Sequence, residues 1–164
     1  MEYTDEVLEQ LIACPKRISQ PPRKGMKPDG KHSRNDMELE SLDGNHGFRA
    51  FMRQSLEFTE DFSVGLEYLP KDEPGRFCLV RCNGMHGGHQ VHPHHGKCHI
   101  HRCTADDVNA GRRVERHIQP TCEYAAFPDA LRYFLRTVNV QSADRSQHFP
   151  RLLQGDLFAE EVCS

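Results

Sequence analysis

The sequence predicts an α+β domain: an antiparallel meander of about five strands with a C-terminal helix packed on one face, preceded by an N-terminal helix and a flexible linker. Three observations point there. Apolar and polar residues alternate through most of residues 37–83, with turn-forming clusters between the runs. "FPDALRYFLRTVNV" instead spaces its apolar residues at helical intervals. The chain has 164 residues, 37% of them apolar and none Trp, which suits one domain with a modest core. The predicted organisation is a helix and linker over 1–34, the α+β domain over 35–141 and a tail over 142–164.

The first element is the helix in "TDEVLEQLIAC". Val7, Leu8, Leu11 and Ile12 share a face, Thr4 can cap, and Asp5 and Glu6 sit in the first turn. Cys14-Pro15 ends it. "PKRISQPPRKGMKPDGKHSRN" is basic, rich in Pro and Gly and poor in apolar residues, so it reads as a linker rather than a nucleic-acid-binding arm. "MELESL", the turn "DGNHG" and "FRAFMRQSLEF" make a hairpin with Phe48, Ala50 and Met52 on one side. "FSVGLEYLP" and "RFCLVRCNG" add two strands joined by "KDEPG". Met85 to Cys98 is rich in Gly, Pro and His and reads as loop. "HIHRCT" resumes as a short strand with His99 and His101 on one face and Ile100 on the other. Thr104 can start a helical turn in "TADDVNAGR". The last helix begins near Pro128 and packs through Leu131, Phe134 and Leu135, and "FPRLLQGDLF" suits a short docking helix or a partner-binding segment.

Charge is distributed unevenly. The net charge is only −3, yet Arg76 to Cys103 holds four Arg or Lys, seven of the eleven histidines and no carboxylate. Such a segment attracts anions. Seven cysteines is an odd count, the N-terminus is acidic and polar, and no apolar run approaches membrane-spanning length. The expectation is a cytoplasmic chain with reduced thiols and no membrane association.

Histidines this dense can hold a metal, move protons or bind phosphate. The ligand types for zinc are present in His92, His94, Cys98, His101 and Cys103. Their spacing lacks paired Cys-x2-Cys motifs and a His-Glu-x-x-His helix, and no carboxylate lies among them. A chain without a resident cofactor is therefore expected, and a zinc-stabilised interaction module is the alternative. Proton transfer fits better. His99 and His101 lie two residue rises apart on a strand, on the order of 6.5 Å, and histidine titrates near neutrality. They can act as acid and base in RNA cleavage by 2′-oxygen attack, as exposed residues of a cleft. Arg81 and Arg102 would grip phosphate, with Asn83 and His86 positioning substrate. A bland reading competes for each group. His32, His46, His117 and His148 can be plain surface residues, and His89, His92, His94 and His95 solvated loop. Cys78, Cys82 and Cys122 can be core residues or free thiols, and Arg81 can simply pair with Glu67.

The stretch "LVRCNGMHGGHQVHPHHGKCHIHRCTAD", with the later "FPDALRYFLRTVNV", resembles the small TumE-type toxins of prokaryotic toxin–antitoxin systems. There a strand bearing Arg-x-Asx leads through a His-rich loop to a His-x-His strand and a helix. The matching residues are Arg81, Asn83, His86, His99 and His101, within roughly residues 62–140. The chain departs in having Asn83 where a carboxylate would sit, in its extra loop histidines, and in its N-terminal helix and linker. The resemblance implies a bacterial inhibitory protein paired with a DNA-binding antitoxin and acting on RNA. The combined expectation is a metal-independent endoribonuclease. A non-catalytic inhibitor that binds a protein partner is the remaining alternative.

Overall fold

The computed structural model describes residues 2–86, 96–112 and 117–153, with the side chain of Leu153 excepted. The elements run α1 (Asp5–Ala13), β1 (Lys16–Gln20), β2 (Lys27–Asp29), β3 (His32–Ser41), β4 (Gly47–Ser55), β5 (Phe62–Leu69), β6 (Phe77–Asn83) and β7 (His99–Arg102). They continue with α2 (Ala105–Asn109), β8 (His117–Pro120), α3 (Phe127–Thr137), α4 (Ser142–His148) and α5 (Pro150–Leu153). The strands form one antiparallel sheet of order β1-β3-β4-β5-β6-β7-β8, with β2 also paired to β3. The α+β class and the meander are thus as the sequence predicts, with eight strands among the described residues in place of about five.

Strand alternation sorts the side chains. Met37, Leu39, Phe48, Ala50, Met52, Val64, Leu66, Val80, Cys82 and Ile100 are buried together with Leu8, Leu11 and Ile12 of α1. Ala130, Leu131, Phe134 and Leu135 of α3 complete the cluster. Each large apolar side chain buried this way contributes roughly 1.5–3 kcal/mol, so this face holds most of the fold's driving force. The side chain of Thr4 caps α1 by accepting from the Val7 amide at 3.2 Å, and Pro128 opens α3. No helix of the described chain is long and apolar enough to cross a membrane.

A β-bulge sets the site. Leu66 pairs with Val80 but Glu67 pairs with Cys78, leaving Leu79 as an extra residue in β6. The bulge switches the alternation. Phe77 faces the core beside Tyr68, whereas farther along β6 it is Val80 and Cys82 that do so. Arg81 and Asn83 therefore project from the opposite face.

Residues 15–35, expected to be a linker, carry β1, β2 and the start of β3. The tail's first part is anchored too: Asp144 accepts from the Ile18 amide at 2.7 Å, and Arg132 donates to the Leu152 carbonyl at 2.9 Å. The anchor for β1 is Lys16, 0% exposed. Its ammonium donates to the carbonyls of Ile12 (2.8 Å), Cys14 (2.8 Å) and Val138 (3.0 Å) and lies 4.7 Å from the centre of the Phe48 ring. Three donors meet three acceptors at the C-terminal ends of α1 and α3, where helix carbonyls lack intrahelical partners and carry negative partial charge. Desolvation lowers the Lys16 pKa from its ordinary value.

Lys16→Met is expected to destabilise the domain by roughly 3 kcal/mol or more, because three buried carbonyls lose their donor. Denaturant unfolding of both proteins measures it. A loss under 1 kcal/mol would show that water or local movement replaces the ammonium.

Candidate functional site

The site lies on the sheet face opposite the core. Asn83 pairs with His99 and Arg81 with His101 across β6 and β7, so alternation puts all four side chains on that face. The His99 and His101 rings are 5.0 Å apart between centroids, and the His86 ring is 5.2 Å from His99. His86 follows β6 directly, where the Gly84 amide still donates to the Phe62 carbonyl at 2.9 Å and the chain passes close to Glu60. A Cβ on Gly84 would stand 2.1 Å from the Glu60 carbonyl oxygen, so only glycine passes there. The structure thus brings together Arg81, Asn83, His86, His99 and His101.

Hydrogen bonds fix the chemistry of His99. Its Nδ1 lies 2.8 Å from the Lys97 carbonyl oxygen, which can only accept, so Nδ1 carries the proton. Nε2 then presents a lone pair, 3.4 Å from the Asn83 amide nitrogen. With the Asn83 Nδ2 turned toward that lone pair, its Oδ1 is buried and accepts no hydrogen bond among the described residues. Such an acceptor is costly unless a ligand supplies a donor. Beneath the pair, the Tyr124 hydroxyl shares its proton between the carbonyls of Asn83 (3.0 Å) and His99 (2.9 Å). Desolvation raises the Tyr124 pKa, which keeps it a donor.

Two expectations are corrected. His99 and His101 are not exposed cleft residues: they are 0% and 7% exposed, and Asn83 is 5% exposed. Arg102 does not join them. As the residue after His101 it points to the other face, where its guanidinium meets Glu9 of α1 at 3.1 Å. Glu67, a suggested partner of Arg81, accepts from Arg49 at 2.9 Å and lies 3.5 Å from Arg76.

Of the zinc ligand pool, His92 and His94 lie outside the described residues, as do His89 and His95. Cys103 packs against the core beside α1, where burial foremost and the nearby Glu9 and Asp5 push its thiol up to about 12. Among the described residues no three His, Cys, Asp or Glu side chains are set to share a metal ion. The scattered histidines have separate settings. His117 is exposed, His148 half-buried, His32 rests against Arg53 at 2.8 Å, and His46 Nδ1 is 3.2 Å from the Tyr68 hydroxyl. Tyr124 and Gly84 are functional positions that the sequence pattern does not single out. The "NG" after β6 was the available signal for Gly84, and nothing local marks Tyr124.

No family model, curated protein or solved structure matches the chain.

Burial also pushes the Cys82 thiol up to about 12. Folded values above the ordinary one mean that Cys82 and Cys103 contribute stability in full below about pH 9, losing it as pH climbs from there toward 12. Native protein alkylated at pH 8 should therefore modify exposed Cys122 well before buried Cys82, which reacts only as the chain unfolds. Mass spectrometry of the labelled peptides reads this. Early labelling of Cys82 would contradict the burial. Tyr124→Phe should cost roughly 1–2 kcal/mol in denaturant unfolding, by stripping the donor from two carbonyls of the site. An unchanged midpoint would mean that the hydroxyl holds nothing.

Proposed function

We propose that this protein binds RNA and cleaves it without a metal ion, through His99 and His101. The observation that carries the reading is the convergence of His99, whose Nε2 lone pair is held ready by the Lys97 carbonyl, with His101, Arg81 and Asn83 on one sheet face.

The chemistry follows from the tautomer. His99 Nε2 removes the proton of a ribose 2′-hydroxyl, and the 2′-oxygen forms a bond to the adjacent phosphorus. The bond from phosphorus to the 5′-oxygen breaks as His101, entering as imidazolium, gives that oxygen a proton. The products are a 2′,3′-cyclic phosphate and a 5′-hydroxyl. Arg81 faces the charge that builds on the phosphorane oxygens, which a guanidinium can contact in pairs. The Asn83 Oδ1, an acceptor without a partner among the described residues, is open to a substrate donor other than the attacking 2′-hydroxyl, whose one proton goes to His99. Rings 5.0 Å apart leave no room for a phosphate between them, so both histidines address it from the same side, which requires the fully buried His99 to be uncovered as RNA binds. The carboxylate-free composition of Arg76 to Cys103 supports a polyanionic substrate. An inhibitory role with a DNA-binding antitoxin as partner belongs to the same reading, on the strength of the short motif alone.

Since both histidines are buried, glutamine tests them with less disturbance than alanine. In chelator, His99→Gln and His101→Gln should each slow RNA cleavage by roughly a hundredfold or more while remaining folded by circular dichroism. The wild-type rate should be bell-shaped in pH, reflecting one neutral and one protonated imidazole. Arg81→Lys should also slow cleavage, an ammonium being unable to make the paired contact. Cleavage that needs added metal, or that survives both histidine changes, would contradict the mechanism.

A further inference from the structure

Beyond the histidines, the same face carries an ordered pattern of charge. The strand pairings define cross-sheet rows. One row reads Arg34, Arg53, Ser63, Asn83, His99 from β3 to β7. The next reads Asp36, Phe51, Gly65, Arg81, His101. A third, nearer the bulge, reads Glu38, Arg49, Glu67. Carboxylates thus gather at one end of the face and are absent from the row that ends at His99. That row crosses four strand spacings, on the order of 19 Å.

Two features of these rows are unusual for a polar sheet face. Arg34 and Arg53 are directly opposed, and like charges across a strand pair destabilise it. Arg34 has an exposed partner in Asp29, whereas among the described residues the hydrogen bonds of the Arg53 guanidinium run to the His32 ring rather than to a carboxylate. Phe51 lies on the polar face rather than in the core. A Cβ on Gly65 would come within 2.3 Å of its ring, so the ring rests on the sheet where glycine leaves space. It is half-buried, two strands from Arg81 with Gly65 between them.

We infer that this face is a binding track for single-stranded RNA: Phe51 stacks a base, Arg53 and Arg34 hold the backbone, and the strand leads along the carboxylate-free row to His99. An aromatic ring lying on a sheet among arginines is suited to this, because every base has a face to stack and every linkage a charge. The track rests on the RNA reading of the histidine site, but its residues differ from those of the reaction.

The test measures binding of a short fluorescein-labelled single-stranded oligoribonucleotide by anisotropy, in a His101→Gln background that blocks cleavage. Phe51→Ala should weaken binding roughly tenfold and Phe51→Tyr should preserve it. Arg53→Glu should weaken it similarly and flatten the salt dependence by about one ion. Gly65→Ala, which can be accommodated only by moving the Phe51 ring, should weaken binding while the protein stays folded. Arg49→Gln, in the acidic row, should change little. If the background protein binds RNA and none of Phe51→Ala, Arg53→Glu or Gly65→Ala weakens it, the track is wrong and the histidine site stands. If the wild type neither binds nor cleaves RNA, both fall. Competition by polyglutamate as strong as by unlabelled RNA would overturn the track in favour of an acidic protein partner.

Discussion

The buried ammonium of Lys16 is the constraint on which the rest of the architecture depends. It ties the ends of α1 and α3 to the start of β1, and it lies over Phe48 in the middle of the sheet. The backbone repeats the tie, with the Lys16 amide donating to the Asn139 carbonyl and the Gln141 amide to the Lys16 carbonyl, both at 2.9 Å. A charge this deep is tolerated only because every donor is used. The consequence is an asymmetric molecule. Both long helices are held on one side of the sheet, and the other side is left to polar chemistry.

That second side is shaped by strand register more than by loops. The Leu79 bulge sends Arg81 and Asn83 away from the core, and antiparallel pairing lays His99 and His101 beside them. Tyr124 then reaches from the core side to the carbonyls of Asn83 and His99, so that stability and site geometry meet at one hydroxyl. Burial of the two histidines limits their rotamers, and the Lys97 carbonyl selects the His99 tautomer. A rigid, preorganised pair of imidazoles is what acid–base catalysis asks of a scaffold.

Much of this was legible from residue patterns. The Thr4 cap, the hairpin of β3 and β4, the "KDEPG" turn and the apolar face of α3 are local signals, and local physics settles them. Period-two alternation also sufficed to place His99 and His101 together. Applied one residue further, it would have put Arg102 on the opposite face with Ile100. Lys16 was not legible, because a lysine in a basic, Pro-rich stretch reads as solvated, and its partners come from residues as distant as Val138. The burial of His99 and the Phe51–Gly65 contact likewise arise from strands brought together by the whole sheet.

The most direct test of the account is the chemical identity of the cleaved ends. RNA incubated with the protein in chelator should yield fragments ending in 2′,3′-cyclic phosphate and beginning with 5′-hydroxyl, while the matching 2′-deoxy strand remains intact. Cleavage of the deoxy strand, or fragments ending in a 3′-hydroxyl, would contradict attack by the 2′-oxygen and with it the roles given to His99 and His101.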